Sequence, residues 1–277
     1  MQYSDPPGSE PLTVEMAIAN LRHEDLSLRY YAAWWLGKFR VNEPAAVEAL
    51  IAALEDEADR TELGGYPLRR NAARALGKLG DRRAVPGLIH CLECSDFYVR
   101  EAAAQSLGML GDLSCVPALM KLLDGGVAAA MRVPGRPHLE QPSEAVMEAL
   151  GTLQATQATA LIQPFLEHPV ARVQYAADRA MYQLTKEPVY GERLVQALQE
   201  SDLQLRRVIL SDLGAIGYLP AAEAIASAAT ENSFKLIALK GLLEQVQTGN
   251  ASSVDPEDPR SLSRDAIRVM TLMDALL

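Results

Sequence analysis

A segment ending in Leu-Gly returns at near-regular intervals along the chain, and that recurrence restricts the possible folds more than any single motif. "LRYYAAWWLGKF" (28–39) is followed by "LRRNAARALGKLGD" to Asp81, "VREAAAQSLGMLGD" to Asp112 and "PSEAVMEALGTL" to Leu153. Weaker copies end at Leu184, Gly217 and Leu243. The anchors Leu36, Leu76, Leu107, Leu150, Met181, Leu213 and Leu242 are spaced by 40, 31, 43, 31, 32 and 29 residues. A unit of about thirty residues repeated about seven times, with two insertions, falls in the period range of helical solenoids.

Each copy is preceded by a second short segment with apolar residues at helical spacing, such as "AVEALIAALED", "AVPGLIHCLEC" and "CVPALMKLLD". Pro86 and Pro117 stand near the starts of two of these, where a missing N–H costs little. Gly80 and Gly111 follow the second helices as stop signals. Leu and Ala dominate the 49% apolar fraction, which favours helix over sheet. The fold class expected is therefore all-α: stacked hairpins of an A helix and a B helix. Arg29, Arg69, Arg100 and Arg206 lie seven residues before their anchors, and Asp25, Asp96 and Asp202 lie four residues before three of those arginines. Such an Asp can cap a helix start and pair with the Arg one turn on, which predicts a ladder between hairpins.

Composition narrows the function. The formal charge of −10 over 277 residues disfavours nucleic acid as a partner. No apolar run reaches membrane-spanning length and "MQYSDPPGSEP" lacks the features of a signal peptide. Together with three cysteines, an odd number, this suggests reduced thiols in a cytoplasmic protein. Cys91 and Cys94 form a CxxC, but no further ligands stand at zinc-site spacing, so core packing or partial exposure is expected and no metal.

On a helical wheel anchored at Leu36, Trp35 falls beside the buried side, whereas Tyr30, Tyr31 and Trp34 fall opposite. The same wheel places Arg70, Asn71 and Arg74, then Glu101 and Gln105, Glu144 and Glu148, Tyr175 and Arg179, and Arg207 and Ser211 on the corresponding face of later repeats. Repeat two carries the insertion "EADRTELGGYP" (57–67), with Tyr66 after a Gly-Gly turn signal. Repeat four carries "DGGVAAAMRVPGRPHLEQP" (124–142), with Arg132, Arg136 and His138. Long loops inside a regular array are either functional or simple connectors. The expected division is a mobile arm at 1–11, a repeat domain at 12–245, and a linker plus C-terminal helix at 246–277. That helix has to dock either on the solenoid's own end or on a partner, and the partner is preferred.

The pattern D-x-x-[VL]-R-x-x-A-x-x-x-L-G resembles HEAT-type repeats. "RYYAAWWLGKFR", then "ADRTELGGYPLRRNAARALGKLGD", then "RVPGRPHLEQPSEAVMEALGTL" resemble in that order the E-type subunits of the phycobilisome lyase family, those of the phycocyanobilin lyases acting on the phycocyanin α chain. The resemblance covers roughly residues 12–245. It implies a crescent-shaped HEAT-like solenoid with the B helices on its concave wall. It also implies a heterodimer with an F-type subunit and the joining of phycocyanobilin, as substrate and not as a permanent cofactor, through a thioether to a cysteine of the phycocyanin α chain. A phycoerythrocyanin-type subunit and a noncatalytic scaffold for phycobiliprotein assembly remain alternatives. On this resemblance, Tyr30, Tyr31, Trp34, Tyr66, Arg70, Arg74, Arg132 and Arg136 are candidates for holding the bilin, by stacking and by pairing with its two propionates. The exposed rings serve equally well as a seat for a partner helix. Glu101, Glu144, Glu148 and His138 are candidates for supplying a proton.

Overall fold

The computed structural model describes residues 12–249 and 263–277; the expected arm at 1–11 and most of the expected linker lie outside them. Helices pair as the period predicts: α1 (Val14–Asn20) with α2 (Leu26–Lys38), α3 (Pro44–Ala53) with α4 (Pro67–Leu79), and α5 (Val85–Cys91) with α6 (Phe97–Leu110). After α7 (Val116–Lys121) comes α8 (Gly126–Ala129), inside the second insertion, and then α9 (Ser143–Thr152). Next are α10 (Thr159–Ile162) and α11 (Ala171–Thr185), α12 (Pro188–Glu200) and α13 (Leu203–Ile216), α14 (Ala222–Ser227) and α15 (Asn232–Gly249), and finally α16 (Arg264–Asp274). Among the described residues there is no strand, only an isolated bridge between Arg132 and Leu139. All seven anchor residues are buried.

Two compact units divide the chain. One holds the described residues up to Leu122 together with Met131–Ala149; the other holds Leu123–Ala130 and the described residues from Leu150 onward. In the first, α4 packs against both α2 and α6. Five of the seven anchors are followed by a glycine within the same helix, and in the first unit that glycine marks the contact. A Cβ on Gly37 would stand 2.8 Å from the Cα of Ala75, and one on Gly77 would stand 2.9 Å from the Cα of Ser106. The Leu-Gly pair is thus a notch for the next B helix. Gly80 and Gly111 end their helices with φ of 78° and 67°, the left-handed conformation that glycine adopts without strain.

The Asp/Arg pattern is resolved differently from the expectation. The cap is present: the N–H groups of Ser27, Tyr98 and Leu205 donate to Asp25, Asp96 and Asp202 at 2.8, 2.8 and 2.9 Å. The arginines, however, turn toward interhelical loops. Arg29 reaches Asp56 at 2.8 Å, Arg100 donates to the Cys94 and Glu140 carbonyls at 2.7 and 2.6 Å, and Arg206 donates to the Ala229 carbonyl at 3.2 Å. A planar fork of donors satisfies loop carbonyls that no helix can reach. The ladder joins successive hairpins, with loops as its rungs.

In the second unit, α16 packs on α14 and α15. Val269 enters the core with Ile225, Leu239 and Leu242, and Met273 and Leu276 lie against it. Asn232 ties the end down by donating to the Leu276 carbonyl at 2.7 Å. The helix therefore covers the last hairpin of its own unit, correcting the preference for a partner. An end repeat has no neighbour to bury its open side, and α16 supplies one.

A buried charge in this unit carries a pH dependence. Asp178 is 2% exposed, and burial pushes its carboxyl up to about 7 from an ordinary 3.8, against the opposing pull of Arg193. The Arg193 Nε lies 2.8 Å from it. Between roughly pH 4 and 7 the folded chain keeps a proton that the unfolded chain releases, so this group's contribution to stability falls as pH rises through that window. Asp178→Asn should remove the slope: its stability relative to the parent should rise by about 3 kcal/mol from pH 5 to 8, read from urea melts. Equal slopes in the two proteins would show that the carboxyl is ionised throughout.

Candidate functional site

The start of α6 gathers the first insertion and the part of the second, from Met131 on, that belongs to the first unit. Asp96 uses its second carboxylate oxygen to accept the Tyr66 N–H at 2.8 Å, which fixes the end of the first insertion. Arg100, one turn on, holds the second insertion through the Glu140 carbonyl. Between them lies a cavity of about 590 Å³, with Tyr30, Arg70, Phe97, Tyr98, Arg136 and His138 among its lining residues.

Its wall is aromatic and basic. His138 stacks on Phe97 with ring centroids 4.4 Å apart and planes 13° apart, and meets Tyr98 edge-on at 5.5 Å. The Arg70 guanidinium sits 4.9 Å from the Tyr98 ring centre, a cation–π contact that holds it in place. Among the described residues neither Arg70 nor Arg136 is joined to a carboxylate in an ion pair. Asp96, also in the wall, spends both oxygens on backbone N–H groups.

The expected site residues divide. Tyr30, Tyr66, Arg70, Arg136 and His138 come together around this cavity. Tyr66, though, is only 6% exposed; its ring lies under Arg69 at 4.4 Å and its hydroxyl donates to Glu57 at 3.2 Å, so it offers the cavity little open face. Tyr31 and Trp34 lie outside the lining but are 42% and 43% exposed, as Tyr30 is at 46%. Tyr31 and Trp34 pack on each other at 5.5 Å. Arg74 and Glu101 face each other at 3.8 Å. Arg132 is exposed and bridges to Leu139. Glu144 and Glu148 are half-buried on α9 and already engaged. Asn71, placed on the wall by the wheel, is instead buried, donating to the Tyr30 carbonyl at 3.2 Å.

Phe97 and Tyr98 went unnoticed in the sequence. Their signal is two adjacent rings directly after a capping Asp, in a chain with only 5% aromatic residues. Cys91 and Cys115 are core residues and Cys94 is half-buried; burial pushes the Cys91 thiol up to about 12 and the Cys115 thiol up to about 11, so both of these stay protonated near neutrality. Among the described residues no cluster of three or more His, Cys, Asp or Glu side chains could hold a metal ion, and no helix is long and apolar enough to cross a membrane.

Comparison with known proteins adds three kinds of likeness. The family described as HEAT repeats matches residues 66–132, and the family described as PBS lyase HEAT-like repeat matches residues 28–56. Phycocyanobilin lyase subunit alpha of Nostoc is 73% identical over 266 residues, covering 96% of this chain and 94% of that protein. The bilin biosynthesis protein PecE of Mastigocladus laminosus is 46% identical over 245 residues, covering 88% and 86%. Among solved structures, the complex of CpcE and CpcF of phycocyanin lyase from Nostoc contains a chain that superposes with a TM-score of 0.89 at 70% identity, with 100% of this chain and 99% of that one covered.

Proposed function

The chain belongs to the phycocyanobilin lyase alpha-subunit family, and from that membership we propose that it is one subunit of a heterodimeric bilin lyase. With an F-type partner it attaches phycocyanobilin, bound only as substrate, to a cysteine of the phycocyanin α chain in the cyanobacterial cytoplasm. The near-complete overlap with alpha subunits at high identity carries this reading. The reaction adds a thiol across the exocyclic double bond of ring A, and the nucleophile belongs to the acceptor. The enzyme's task is to hold a flat, dianionic pigment at a fixed distance and angle from that thiol, which can supply most of the acceleration.

The cavity beside α6 and the neighbouring rings suit such a ligand. Tyr30 and Trp34 are four residues apart and share one face of α2, offering apolar surface for the tetrapyrrole body. Arg70 and Arg136 are placed to receive its propionates, because a guanidinium matches a carboxylate in a two-point bond.

Co-expression of this chain with an F-type subunit, a phycocyanin α chain and phycocyanobilin tests the reading. A covalent, zinc-fluorescent α chain is expected only when both lyase subunits are present. An equally pigmented α chain in the absence of this one would refute it. Substituting a phycoerythrocyanin α chain separates the two acceptors. Trp34→Ala should lower product formation by roughly tenfold, the loss of about 1.5 kcal/mol of ring contact, with circular dichroism and heterodimer elution unchanged. Loss of the heterodimer instead would assign Trp34 to the partner interface.

A further inference from the structure

We propose that His138 is the catalytic proton carrier of the ligation, an inference that rests on the functional reading above. Four side chains were candidates for that role, and their surroundings are unlike. Glu101 is paired with Arg74 at 3.8 Å and lies outside the cavity lining. Glu144 and Glu148 are engaged on α9, outside the cavity lining. His138 alone of the four lines the cavity.

The ring is prepared in two ways. Its Nδ1 lies 2.7 Å from the Leu139 carbonyl. A carbonyl only accepts, so Nδ1 carries the hydrogen and Nε2 keeps a lone pair in the neutral ring. The Phe97 ring fixes the imidazole plane by stacking. Nε2 is the nitrogen left for a ligand, in the same cavity as Tyr30, Arg70 and Arg136.

The proton balance of the addition calls for one such group. The acceptor thiol loses its proton and its sulfur bonds to the outer carbon of the exocyclic double bond. That double bond becomes single, and a proton arrives on the ring carbon. One proton leaves sulfur and one reaches carbon, with no oxidant or reductant. Nε2 takes the first as a base and returns it as an acid, ending the cycle neutral. A carrier with one free nitrogen and a tautomer locked by the backbone performs both halves without changing its own hydrogen bond.

The test uses the purified heterodimer, phycocyanobilin and unpigmented α chain. His138→Gln retains an amide that can donate to the Leu139 carbonyl and lie against Phe97, but it transfers no proton. It should bind the bilin noncovalently within twofold of the parent, by absorbance titration, while single-turnover thioether formation slows by about a hundredfold. His138→Ala should be slowed comparably and partly restored by added imidazole. Ligation by His138→Gln at the parent rate, a parallel loss of bilin binding, or no restoration by imidazole would each overturn the proposal. A parent heterodimer that forms no adduct would instead bring down the functional reading together with this one.

Discussion

Gly77→Val is expected to lower the melting temperature by roughly 10 °C. A Cβ at this position would stand 2.5 Å from the Ser106 hydroxyl and 2.9 Å from the Ser106 Cα. The first contact could be relieved by rotating a side chain, but the second is backbone, so α4 and α6 must separate. Forcing atoms into a packed contact costs about 1–3 kcal/mol. Moving Ser106 also breaks the bond from its buried hydroxyl to the Ala73 carbonyl, 2.8 Å long, at a cost of about 1 kcal/mol more. Gly80→Ala is the informative companion. Nothing lies within 4 Å of a Cβ there, but φ is +78°, so it should lose only about 1 kcal/mol to backbone strain. Thermal melts followed by circular dichroism would distinguish the two. Equal losses would show that the glycine after the anchor does not set the helix spacing.

The second large effect concerns the two guanidinium groups of the cavity. Arg70→Ala combined with Arg136→Ala is expected to weaken noncovalent phycocyanobilin binding by the heterodimer by a factor of roughly 10² or more, because each charge-assisted bond contributes about 1.5–3 kcal/mol. The loss should depend on the ligand's carboxylates. The parent should bind the free diacid much more tightly than its dimethyl ester, and the double variant should bind both alike. Arg132→Ala, outside the cavity lining, should behave as the parent. Absorbance titrations give all three comparisons. An ester that binds the parent as tightly as the acid would remove the propionates from the cavity.

Parts of the candidate site were legible in the sequence because helical geometry is local. A turn of about 100° per residue is enough to put Tyr30, Tyr31 and Trp34 on the side away from Leu36, and all three are exposed. The same wheel failed at Asn71, which is buried against α2. Exposure there depends on how closely the neighbouring B helix approaches, which one helix's wheel does not contain. The two insertions were visible as breaks in the period, but their meeting was not. Asp96 and Arg100 join loops from opposite sides of α6 in sequence, and that convergence brings His138 onto Phe97.

By itself, then, the order of residues determined the helical hairpins, their number and the caps at three of their starts, since each depends on spacing within about thirty positions; the kinship was carried by the resemblance of whole segments in their order along the chain. Only the packed structure decided that a glycine after an anchor, as at Gly37 and Gly77, admits the next helix, that the arginines hold loops, that α16 covers its own unit, and that a single histidine among four proton candidates lines the cavity. Those outcomes depend on distances between segments far apart in the chain, set by steric fit and by the need of buried polar groups for partners.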